Sequence, residues 1–186
     1  MAKVFRAAEM MSEDVQSYVI SCQYQADSVD APIEDGAFVK LGELKDDKTY
    51  VAAGDKDYNV YLAAAPTAVT DEVVVIDYPG VSEGAISGNS YRIGVKLFDL
   101  VAPAGRPVRA RRLALGDRFW LGEENFSNSV VVGNIAGLEA NKTTLKDSGA
   151  QTIVEGQLNV KIHLGKDFNY GQSANGKLYL CEVVGL

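Results

Sequence analysis

The chain has one histidine, one tryptophan, two cysteines and five prolines in 186 residues, and each scarcity removes a class of chemistry. His163 alone cannot supply a histidine-based metal site, which needs further ligands. No Ser-His-Asp arrangement can be argued from spacing, and no Gly-x-Ser-x-Gly occurs. His163 sits on the polar face of an alternating run and reads as a solvated side chain. Cys22 and Cys181 lie far apart in apolar, strand-like runs. That is neither a disulfide framework nor a zinc spacing, so both read as buried free thiols, consistent with a reducing compartment. No run of 18 apolar residues exists, so no membrane-spanning helix is expected. "MAKVFRAAEMMSEDVQ" lacks an apolar stretch of signal-peptide length, and the chain is expected to be soluble. The sequons at Asn125 and Asn141 then read as chance matches.

The length suits one generous domain or two small ones, with about 70% of the unfolded surface buried on folding. The apolar fraction of 47% is ordinary for a globular protein. Charge is unevenly spread. The net charge is −7, and residues 1–60 hold 12 acids against 6 bases. Five of the seven arginines fall in "GRPVRARRLALGDRFWLG": Arg106, Arg109, Arg111, Arg112 and Arg118, opposed there only by Asp117.

The dominant hydrophobic period is two. In "QLNVKIHL", Leu158, Val160, Ile162 and Leu164 share one face, as in a half-buried strand. "YVISCQYQA" alternates similarly. "GAFVKLGEL", "KTYVAA", "YNVYLAAA", "DEVVVIDY", "SYRIGVKLFDL" and "KLYLCEVV" are short, rich in β-branched or aromatic residues, and bounded by turn formers. About ten such runs at this spacing predict an all-β fold, a sandwich or barrel of short antiparallel strands, organised as two β units. The expected divisions are an N-terminal arm over 1–30, extended or a short helix, a main β domain over 31–126 and a smaller β unit over 127–186. "SEDV" from Ser12 could start a helix. Asn175-Gly176 predicts a turn before the final strand.

Candidate chemistry thins out on inspection. Asp55 to Asn59 open like a calcium loop, but Val60 and Pro66 stand where Gly and Glu are needed. Gly80 to Gly94 has glycines without the Gly-Lys-Ser/Thr of a phosphate loop. Asp46-Asp47 and Glu123-Glu124 sit in polar turns and read as solvated. The chain is therefore expected to be non-enzymatic, with no metal and no cofactor.

The arginine stretch reads as β structure. Val108 and Ala110 face one way, Arg109 and Arg111 the other. Arg112 breaks the alternation, which predicts a β-bulge. Gly116-Asp117 predicts a turn with Gly at its first central position, and "RFWLG" a return strand. Three uses remain open: a solvated face, a protein interface, or a nucleic-acid contact. Segregation of arginine from lysine favours an interface, because guanidinium is planar, weakly hydrated and pairs bidentately with carboxylates. A polyanion would meet an acidic background and no spaced aromatic platform. Phe119 and Trp120 are adjacent, hence on opposite strand faces.

"GAFVKLGEL", a long β region, "AGRPVRARRLALGDRFWL" and a valine-glycine strand together resemble head structural proteins of tailed phages, of the small capsid decoration, or cement, type. The likeness covers about residues 30–186. It implies a β-rich virion protein on the capsid exterior, made in the host bacterial cytoplasm. Its partners would be the major capsid protein and copies of itself, with neither membrane nor cofactor. Such proteins often add an arm strand to a capsid sheet, which would place Tyr18, Ile20 and Tyr24 at the interface beside Arg106, Arg109, Arg111 and Arg112. A small nucleic-acid-binding barrel using Arg106 to Arg118, or a tail or connector component, are the alternatives.

Overall fold

A computed structural model describes residues 3, 5–45, 60–78, 101–169 and 175–186. The runs expected at Lys48–Ala53 and Ser90–Leu100, the Gly80–Gly94 loop, Asp46-Asp47 and the Asp55–Asn59 turn lie outside them. The fold is all-β. A closed barrel is formed by β2 (Val19–Ala26), β6 (Val60–Ala64), β5 (Phe38–Leu44), β7 (Val73–Ile76) and β9 (Val108–Arg112), with β9 pairing back to β2. Every barrel ladder is antiparallel except β2–β6. β3 (Val29–Asp30) extends β2, and β4 (Ile33–Glu34) pairs with β8 (Val101–Ala102). The second sheet is open. It runs β1 (Phe5–Glu9), β10 (Arg118–Gly122), β14 (Asn175–Gly185), β13 (Asn159–Asn169), β11 (Ile135–Leu138) and β12 (Leu145–Asp147).

Period-two alternation explains how the two units meet. Cys22, Val39, Ala63, Val74, Ile76, Val108 and Ala110 fill the barrel, and several are small, as a narrow barrel requires. Phe38, Val73 and Val75 point out of the same wall into a second core with Phe119, Ile162, Tyr179 and Cys181 of the sheet. β7 reads "VVVI" without polar interruption because both its faces are covered. The Phe119 ring lies 5.6 Å from Phe5 and 6.4 Å from Phe38, centroid to centroid. Both cysteines are buried and unpaired.

Several local expectations are corrected. The N-terminal segment is neither one helix nor a loose arm. It is strand β1, a single turn of helix α1 (Met11–Asp14), a 3₁₀ turn over Gln16–Tyr18, then β2. Met10, not Ser12, occupies the cap position, and no side chain caps α1. β1 and β10, expected in the arm and main domain, hydrogen-bond into the sheet built mostly from 127–186. Asn175 and Gly176 are members of β14, opposite Asn169 and Phe168, and do not form the turn. Leu164 leaves the buried face because β13 bulges between Ile162 and Leu164, and it is 42% exposed. The bulge shifts the phase of every later side chain by one.

Candidate protein interface

β9 carries Arg109 and Arg111 outward because Val108 and Ala110 fill the barrel. Arg109 and Arg111 converge on one carboxylate, Asp77, which follows β7 beside them. Arg109 Nη2 lies 2.8 Å and Arg111 Nε 2.5 Å from Asp77 Oδ2. Arg111 also donates to Ser12 Oγ at 2.9 Å, tying α1 to the barrel. The Arg111 and Asp77 side chains are only 12% and 11% exposed. Arg112 reaches Glu72 at 3.5 Å on the surface. Arg106 is exposed in the turn before β9, with its backbone N–H donated to Pro103 O. Arg118 belongs to the other sheet, where it pairs with Glu9 at 3.2 Å and Glu182 at 3.5 Å.

The stretch is thus one sequence cluster divided between two sheets. No bulge occurs in β9, whose ladders with β2 and β7 are regular. The alternation breaks because the strand ends at Arg112 and Leu113 turns into the second core. β10 does not return along β9. It pairs with β1 and β14. Asp117 N–H bonds Ala114 O, which puts Gly116 at the second central position with φ +89°, the type II geometry that favours glycine. Buried Asp117 then accepts from Ala114 N and Met11 N, both at 2.8 Å.

Tyr18, Ile20 and Tyr24 do not form a free edge. Tyr18 is half-buried at the end of the 3₁₀ turn, and Ile20 and Tyr24 pack on the barrel core. β2 is hydrogen-bonded to β9 on one side and β6 on the other, so its backbone offers little to an incoming strand. The structure brings Arg109 and Arg111 together on Asp77, sends Arg112 to Glu72, and packs Ile20 and Tyr24 on the barrel core.

The seam between barrel and sheet holds polar groups that pattern reading missed. Asp35 accepts from Phe5 N at 2.8 Å and Tyr78 N at 2.9 Å. Burial pushes its carboxyl up to about 7, and nearby Asp77 adds to the rise, against the N–H groups of Phe5, Tyr78 and Gly36. Asn125 accepts from Gly122 N and donates to Asp35 O, so the first sequon is spent inside the fold. Gly36 has φ +70°, and a Cβ there would stand 2.5 Å from Asn125 Nδ2. Away from the seam, at the edge of the open sheet, Asp147 takes donors from Val131 N, Asn134 Nδ2 and Gly149 N. These polar residues sit between apolar runs, where turn composition masks their burial.

Elsewhere, the Cys22 thiol is pushed up to about 12 by burial, and burial raises Cys181 as well. Both are poor nucleophiles. His163 Nε2 lies 2.6 Å from Glu182 Oε2 on the sheet's outward face. Among the described residues no cluster of His, Cys, Asp and Glu could hold a metal ion. No described helix is long and apolar enough to cross a membrane. No family model matches the chain, and no curated protein or solved structure matches it.

Proposed function

We propose that the chain is a non-enzymatic virion structural protein that decorates the exterior of an icosahedral phage head and binds major capsid subunits. The observation that carries the reading is where the buried polar groups go. Asp35, Asp77, Asp117, Asp147 and Asn125 each take donors from the same chain, so their lone pairs serve as joints between strands and loops. Such a body is suited to bearing load between neighbours. Its adhesive groups are apolar side chains left exposed, among them Leu44, Leu115, Val131 and Val132, with the resemblance noted over residues 30–186 in support. Arginine pairing to Asp77, Glu72, Glu9 and Glu182 lowers the charge free for a phosphate backbone.

The test is co-sedimentation of purified protein with assembled phage heads, beside a shift assay on a labelled oligonucleotide at low salt. The reading expects saturable pelleting with heads and no oligonucleotide shift. Absence from the head pellet, or a shift lost steeply with salt, overturns it. The latter result belongs to the nucleic-acid alternative.

A further inference from the structure

The outward face of the open sheet carries a cross-strand row that the core does not use. Arg6 stands opposite Trp120, Trp120 opposite Leu180, and Leu180 opposite Leu164. Directly opposed residues share a face, so the only tryptophan lies in the middle of a half-exposed apolar row. Lys161 and Lys166 flank it on β13, both exposed. Neither has an ion pair among the described residues. Tryptophan beside a cation is the composition of an energetic contact centre.

The barrel side is acidic: residues 1–112, which include all five barrel strands, hold 17 acids and 12 bases. On the outward sheet face Arg6, Arg118, Lys161 and Lys166 outnumber Glu9 and Glu182, the latter directly opposite Lys161. The β2–β3 hairpin projects from the acidic part. Asp27 and Ser28 form its two-residue turn with φ of 50° and 66°, the left-handed pair that a tight hairpin demands. Residues 26–30 are exposed throughout, Val29 at 67%. The Asp27 carboxylate has no ion pair among the described residues. One copy thus displays an acidic, valine-tipped knob and a basic, tryptophan-centred face.

We propose that the outward sheet face docks the acidic barrel of a second copy, with the Asp27–Asp30 hairpin set against Trp120 between Lys161 and Lys166. Face-to-face pairing of two sheets would oppose like charges, so the contact is head-to-tail. Head-to-tail contacts repeat until they close a ring or extend a filament. This association is independent of the shell reading.

Sedimentation velocity of the full chain across salt concentration tests it. Oligomers should form at low salt and dissociate toward about 0.5 M, where the screening length is only a few ångströms. The double variant K161E/K166E and the single variant D27K should each associate about tenfold or more weakly, a loss of about 1.4 kcal/mol. Mixing the two should restore assembly, because each then offers the charge the other lacks. All these changes are on exposed side chains, and unchanged melting of the variants checks that they fold. A wild-type monomer at low salt overturns the proposal. So does an oligomer indifferent to salt, or one retained by both variants alone.

Discussion

The barrel and the open sheet bury comparable apolar side chains but are finished differently. The barrel closes on itself through the β9–β2 ladder, and its arginine strand is tied down by Asp77. The sheet begins at β1 and ends at β12, and its outward face keeps Trp120 and Leu164 in contact with solvent. A residue type does not announce its job. Arginine, the residue most suited to an interface, is here paired mostly with carboxylates of its own chain. Tryptophan and two lysines without an ion pair among the described residues, less conspicuous in the sequence, occupy the available face.

The sharpest way to break this contrast is to remove the carboxylate that holds the arginine strand. Asp77→Ala strands the buried Arg111 guanidinium and should lower unfolding free energy by about 3–5 kcal/mol in urea titrations. Trp120 and the lysine face should then fail only because the fold fails.

A second, smaller effect is pH-dependent. The Asp35 carboxyl titrates near 7 when folded and near 3.9 unfolded. The folded state therefore binds the extra proton between these values. Its stabilising contribution is complete below about pH 4 and is lost as pH rises toward 7, by up to about 1.4 kcal/mol per pH unit. Urea midpoints from pH 4.5 to 7.5 should fall for the wild type more steeply than for Asp35→Asn. Equal slopes would place Asp35 outside the seam.

The smallest effect belongs to Arg112→Ala. Its pair with Glu72 joins side chains 39% and 84% exposed, and such pairs contribute about 0–1 kcal/mol. A midpoint within experimental scatter of wild type is expected. A large loss would mean the surface half of the cluster is as structural as the buried half.

Much of the fold was legible because burial imposes period two. "YVISCQYQA", "DEVVVIDY" and "RFWLG" all form strands where alternation or an unbroken apolar run put them. What alternation does not encode is pairing. β10 follows β9 across a tight turn yet pairs with strands from both chain ends, because Leu113 is drawn into the second core and Asp117 fixes the turn against Met11. The bulge beside His163 was equally silent, since one extra residue changes no composition. The candidate site was legible in part. Outward projection of Arg109 and Arg111 followed from Val108 and Ala110, but their carboxylate lies 32 and 34 positions away at Asp77. Strand parity also put Trp120 opposite in face to Phe119. Only the cross-strand register shows that Leu180 and Leu164 line up with it.

The most direct test is a double-mutant cycle between Asp77 and Arg111, read as unfolding free energy with Asp77→Ala, Arg111→Ala and the pair. An internal tie predicts a coupling energy of about 1.5 kcal/mol or more, because contacting charged residues are not additive. Additive losses, with coupling near zero, would contradict the account and return the arginine strand to intermolecular contact.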